Sequence, residues 1–303
     1  YRPNFEIHYI FIANLIASVA TFLFLSPFYF NLNYRFNSKL WRQMLAYAFP
    51  VLVAGVAFSI NETFDRILLE RLLPDNLSKA AIGTYSACYK LALFMTLFAA
   101  AYRLGIEPFF FSRAKDKDAK TNYAKILEFF VIFGALILLC VVVFVDLLKI
   151  ILIPNEAYWE AMDVVPVLLL AYLFLGIYHN LSVWYKITDR TKFGAYISIF
   201  GALSTLTINL LFIPKFGYMA SATATLMAYA AMAFISYVLG QKHYKVPYNL
   251  KKIGLYLMLS TGFSALSFYV FREQYLVGFG LILILSAVVW AKEKTELKHL
   301  IKS

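Results

Sequence analysis

The chain has 303 residues, of which 62% are hydrophobic and only 15% charged, and its mean hydropathy is +0.70. Soluble domains are nearer half apolar and a quarter charged, so this chain carries too little charge to cover a water-facing surface. Its net charge of +11 falls in short Lys/Arg clusters between apolar runs. No separate basic domain exists to form a nucleic-acid footprint, which excludes that class of partner.

A bilayer core about 30 Å thick needs roughly 20 apolar residues as helix. Taken along the chain, the apolar runs predict an all-α, polytopic transmembrane helix bundle of about nine spans. The first, 8–30, follows Tyr1 closely. A start on Tyr rather than Met, with no cationic segment and cleavage site, is expected of the interior of a longer protein. The second, 44–64, contains Pro50 and exits through Asn61, Glu62, Asp65, Arg66 and Glu70. All five polar residues fall within one half of the helix, where Arg66 is spaced to pair with Glu62 and with Glu70. They form either the wall of a cavity mouth or a helix end emerging among headgroups.

The third run, 81–111, is the most informative. Tyr85, Tyr89, Thr96, Arg103 and Glu107 lie at about 0, 40, 20, 0 and 40° on a helical wheel. Ala92, Ala99 and Ala100 flank this polar stripe with small side chains. A cation inside a membrane helix costs about 2.5–3.5 kcal/mol on the mildest scales, so Arg103 is expected to face a wet cavity or be neutralised by Glu107, four residues on. Its planar donor fork suits phosphate. Lys90 lies about 100–140° off the stripe, facing a neighbouring helix or adding a second cation to the same cavity.

The remaining runs are 123–146, 164–185, 193–213, 218–240, 252–271 and 275–291. Pro166 and Pro50 sit where they would kink spans five and two. His179 and Asn180, near the end of span five, are expected in packing or interface roles. The Ala-, Ser- and Thr-rich run 218–240 suits close helix packing in lipid. Cys88 and Cys140 both lie in apolar runs and read as small buried residues, not as a disulfide or a metal pair.

Alternate connections (31–43, 112–125, 186–192, 241–252 and 292–303) hold 19 Lys and Arg, and the opposite set holds 7. The positive-inside rule makes the richer side cytoplasmic, with the first residue outside and the last inside. No connection is long enough for a folded extramembrane domain. No metal-ligand spacing, nucleophile elbow, phosphate loop or other catalytic constellation occurs, so an enzyme is not expected and neither is a metal or a bound cofactor.

Several stretches carry a family resemblance: Asn61-Glu62-Thr63-Phe64-Asp65-Arg66 continuing to Leu68-Leu69-Glu70-Arg71, Gly83 to Leu91, Arg103 to Phe111, Val164-Val165-Pro166 with Leu175 to Tyr178, and Ile213 to Tyr218. With these the chain resembles the bacterial polysaccharide flippases of Wzx type, in the superfamily that also holds the lipid II flippase and the multidrug and toxin exporters. The resemblance implies two six-helix bundles followed by two further helices. On that basis residues 1–40 are the last helix of the first bundle and a cytoplasmic linker. Residues 41–245 are the second bundle, and 246–303 a C-terminal hairpin and cytoplasmic tail.

The implied activity is translocation of a polyprenyl-pyrophosphate-linked oligosaccharide across the bacterial inner membrane, for O-antigen, lipopolysaccharide or capsule synthesis, beside glycan polymerase and glycosyltransferase machinery. Arg103, Lys90, Tyr85, Tyr89 and Arg66 are then the substrate-binding candidates. Glu62, Asp65 and Glu107 are the candidates for coupling to a proton or sodium gradient. The nearest alternative is a multidrug or small-cation antiporter, followed by a membrane glycan-processing enzyme. Lys90 and Arg103, as the deepest charges, favour an anionic headgroup over a cationic drug.

Overall fold

The computed structural model describes residues 8–30 and 35–302, with side chains placed up to residue 294. Residues 1–7 and 31–34 and the side chains of 295–303, which entered the charge count above, lie outside the described residues. All regular structure among the described residues is helical: α1 (His8–Phe30), α2 (Ser38–Leu72), α3 (Asp75–Ser112), α4 (Ala119–Val143), α5 (Val145–Leu152), a 3-10 helix (Glu156–Ala161), α6 (Val164–Leu181), α7 (Val183–Ile187), α8 (Lys192–Phe216), α9 (Tyr218–His243), α10 (Leu250–Tyr269) and α11 (Tyr275–Lys302).

Among the described residues, eight segments are long and apolar enough to cross a membrane, α6 and α7 counting together as Val164–Ile187. The ninth expected span, α10, is a continuous 20-residue helix. Lys251, Lys252 and its serines dilute its hydropathy, and Ser260, Ser264 and Ser267 lie on its buried face.

Cα packing divides the chain into two units, Tyr1–Ala46 and Tyr47–Ser303. In the first, Asn37 starts α2 by accepting the backbone N–H groups of Lys39 (3.0 Å) and Leu40 (3.1 Å) on its side-chain oxygen, a polar cap that satisfies donors the first turn leaves over.

In the second unit α6 is the central helix, packed against α3, α4 and α9. Close approach there depends on missing side chains. A Cβ on Gly176 of α6 would stand 2.1 Å from Phe130 Cζ of α4, and one on Gly201 of α8 would stand 2.3 Å from Met232 Sδ of α9. Along α9 the buried Ala220, Ala224 and Ala228 share one small-residue face and Ala222 lies on the opposite side, so that α6 and α8 can both approach. Gly217 separates α8 from α9 with φ 55° and ψ −137°, a conformation left essentially to glycine. Pro166 is the third residue of α6, inside the first turn, where no N–H is needed. It starts that helix and does not kink it, whereas Pro50 is interior to α2 and buried. Cys88 is buried, Cys140 half-buried, and both are free thiols.

The α10–α11 hairpin is tied to α4 by charge. Lys252 Nζ lies 2.6 Å from Glu128 Oε1 and 2.9 Å from Glu293 Oε2. The Tyr256 hydroxyl donates to Glu293 Oε1 at 2.6 Å. At the opposite end of α10, Arg272 clasps Asp146 of α5 with both Nε and Nη2 at 3.1 Å, and Lys149 Nζ donates to the same carboxylate at 2.5 Å.

Candidate functional site

The polar face of α2 turns inward. Asn61 and Asp65 are each only 2% exposed, while Glu70 is exposed. Glu62 is met by hydroxyls from three other helices. Tyr89 of α3 donates to its Oε2 at 2.7 Å and Tyr172 of α6 at 3.0 Å, while Tyr229 of α9 donates to its Oε1. Hydrogen bonds to an ionised acceptor are about twice as strong as neutral ones. Three such donors converge on the Glu62 side chain, which has no ion-pair partner among the described residues.

Arg66 does not make the two side-chain pairs expected from its spacing. Its Nη1 donates to the backbone carbonyl of Glu62 (2.8 Å) and its Nε to Ser86 Oγ (3.3 Å). Its carboxylate neighbour is Asp65, 3.6 Å away. The guanidinium lies over the Tyr89 ring, 4.5 Å from the centroid, and 6.0 Å from that of Tyr85, a cation–π arrangement. Tyr85 itself is fully buried, its ring 6.1 Å from that of Tyr89. Asn61 on α2 and Thr205 and Asn209 on α8 keep buried polar atoms without hydrogen-bond partners among the described residues. No cluster of three or more His, Cys, Asp or Glu side chains fit for a metal occurs among those residues.

Arg103 occupies a different place. It lines a cavity of about 330 Å³ with Tyr47, Gly55 and Phe58 of α2, Glu107 of α3, Tyr178 and His179 of α6, and Lys186 of α7. Glu107 does not neutralise Arg103. It pairs with Lys186 instead, Nζ to Oε1 2.6 Å, and Arg103 has no hydrogen-bond or ion-pair partner among the described residues. The cavity thus holds two cations against one anion. His179, expected in a packing or interface role, lines this wall.

Lys90 lines neither of these places. It lies in a second cavity of about 300 Å³, beside Gly83, Ser86, Ala87 and the segment Pro154–Asn155. The eight candidates therefore separate into three groups: Glu62, Asp65, Arg66, Tyr85 and Tyr89; Arg103 and Glu107; and Lys90. The Lys90 and Arg103 side chains are both exposed on cavity walls, whereas Asp65 is buried. Tyr172, Tyr229 and Lys186 were not identified from the sequence. A lone tyrosine in an apolar run has no signature separating a carboxylate donor from a lipid-facing ring.

Residues 6–105 match the family model described as polysaccharide biosynthesis protein. No curated protein matches the chain at a significant level. Among solved structures it is similar to the lipid II flippase MurJ in an inward closed conformation, with TM-score 0.67, 16% identity, and coverage of 92% of this chain and 61% of that one. It is also similar to a multidrug resistance MATE family transporter of the MOP superfamily in an outward-facing conformation, with TM-score 0.52, 17% identity, and coverage of 75% and 52%. The chain thus spans about 61% of the flippase and 52% of the exporter. With residues 6–105 matching the polysaccharide biosynthesis model and its helices arranged as in both transporters, the chain is a multi-pass membrane protein that shares their helical fold.

Proposed function

We propose that this chain forms part of a flippase that moves a polyprenyl-pyrophosphate-linked oligosaccharide from the inner to the outer leaflet of a bacterial inner membrane, for assembly of a surface polysaccharide such as O-antigen. Residues 41–245 act as the transport bundle and 246–303 as an attached hairpin, with the termini disposed as the positive-inside rule predicts. The observation that carries the reading is Arg103, unpaired on a cavity wall whose only carboxylate, Glu107, is already held by Lys186. A pyrophosphate crossing hydrocarbon needs charge-assisted donors to replace its water, and a guanidinium fork supplies two at once. Aromatic rings and hydroxyls on the same wall (Tyr47, Tyr178) suit sugar.

Coupling belongs to Glu62. Its oxygens already accept three tyrosine O–H groups, which leaves few of the carboxylate's lone pairs for the several oxygen contacts a metal cation needs. A proton therefore fits this site better than sodium. Protonation would turn an acceptor into a donor and force at least one tyrosine hydroxyl to reorient, so that the charge state of α2 is transmitted to α3, α6 and α9. Such a linked rearrangement gives alternating access a trigger.

The test is complementation. A host lacking its own polysaccharide flippase and carrying the complete gene should regain surface glycan, and Arg103→Gln should lose it while Arg103→Lys keeps part. Full export by Arg103→Gln would sink the reading. The burial of Asp65 beside Glu62 favours one second reading, a small-cation exporter. Raised drug resistance without glycan export would establish it.

A further inference from the structure

The Lys90 cavity is unlike the Arg103 cavity in the chemistry of its walls. Gly83, Ser86, Ala87 and Lys90 line it from α3 at the spacing of one helical face, and Leu152, Ile153, Pro154, Asn155 and Tyr158 close it from the α5 side. At about 300 Å³ it stands at the lower end of the range for small-ligand pockets, roughly 300–1,000 Å³. No carboxylate is among its lining side chains.

Every polar side chain there has a proton to give. Lys90 has no hydrogen-bond or ion-pair partner among the described residues. Ser86 Oγ accepts from Arg66 Nε, which leaves its own O–H to donate. Asn155 spends its Oδ1 on the backbone N–H of Ala157 (3.1 Å), fixing the side chain with its amide N–H groups free. The Tyr158 hydroxyl bonds to no described residue. Arg66, stacked on Tyr89, stands at the edge through Ser86. A cation would need acceptors here, and a sugar would need both kinds of group. A wall of donors around an ammonium fits an oxyanion, for which lysine is a point-charge ligand.

Lys90 and Arg103 share α3 but are separated by about 20 Å along the axis at 1.5 Å per residue, and by about 140° around it. A single diphosphate cannot touch both. We infer that the Lys90 cavity is a second seat for the diphosphate headgroup of a polyprenyl-linked substrate, occupied at a different stage of passage from the Arg103 seat. This inference rests on the flippase reading above. It assigns to Lys90, Ser86 and Asn155 the task of holding the headgroup when Arg103 does not.

The test uses the full chain in phosphatidylcholine nanodiscs, titrated with labelled farnesyl diphosphate. Two classes of saturable binding are expected. Lys90→Gln should weaken one class at least tenfold and leave the other, Arg103→Gln should do the converse, and Lys90→Arg should restore the first. Inorganic pyrophosphate should displace the probe from both. Loss of only the Arg103 class, with Lys90→Gln silent, overturns the second seat and leaves the flippase reading standing. Displacement from the Lys90 class by phosphatidylglycerol as readily as by pyrophosphate also overturns it, because the cavity would then seat bulk lipid. Absence of any saturable diphosphate binding by the unaltered chain overturns both.

Discussion

Lys186 holds Glu107 at 2.6 Å and thereby releases Arg103 from the acid four residues along its own helix. The pairing crosses from α3 to α7, so the charge state of the cavity is set by tertiary structure and not by local spacing. Glu107→Gln should leave Lys186 and Arg103 both unpaired on one wall. Diphosphate binding is expected to tighten, by about 1.5–3 kcal/mol if the freed ammonium makes one charge-assisted bond, and to become more sensitive to salt. Equilibrium binding at low and high ionic strength checks both.

The Glu62 cage makes a separable prediction. Tyr172→Phe or Tyr229→Phe removes one donor to a charged acceptor and should cost about 1.5–3 kcal/mol of stability, read as a lowered melting temperature in detergent. Glu62→Gln removes the titratable group altogether. If protons drive the cycle through this residue, transport in proteoliposomes should lose its pH dependence. An unchanged pH profile would count against Glu62 as the coupling site.

Asp146 lies on the short α5, outside the eight candidate spans. Burial pushes its carboxyl up, but hydrogen bonds and charge from Arg272 and Lys149 outweigh that and hold it below the ordinary carboxylate value. A lowered folded-state value stabilises the fold above the unfolded pKa of about 3.9. That contribution is lost as pH falls through the lower folded value. Hydrogen-exchange protection in the α10–α11 turn, corrected for the intrinsic rate, should therefore fall below about pH 4. Arg272→Ala should lower it already at neutral pH and flatten the acid response.

Gly176 tests the core. A methyl group there would meet the Phe130 ring, so Gly176→Ala is expected to cost about 1–3 kcal/mol through overpacking. Gly176→Ala combined with Phe130→Leu should recover part of that loss. The measurement is thermal unfolding of the single and paired variants.

How far these features could be read in advance depends on the range of the forces involved. Each membrane helix declares itself locally, because lipid demands about 20 consecutive apolar residues, and the runs 193–213 and 218–240 fall within α8 and α9. The polar stripe of α3 was equally local, since helical periodicity alone groups Tyr85, Tyr89, Arg103 and Glu107. Partnership was not local. Tyr172 and Tyr229 reach Glu62 from more than a hundred residues away along the chain, and Lys186 reaches Glu107 across 79. Spacing four apart suggested Arg66–Glu62 and Arg103–Glu107 pairs, yet a better-placed side chain from another helix won in the second case and a backbone carbonyl in the first.

The two charge clusters on the α10–α11 hairpin bear on how this bundle moves. Lys252 fastens one end of α10 to α4 and α11, and Asp146 fastens Arg272 at the other end. A rod bolted at both tips cannot swing against its support. On the flippase reading proposed above, the hairpin is expected to ride with α4 and α5 as a stiff outrigger, and the flexing that would open one leaflet and shut the other falls to the helices that carry no such double fastening.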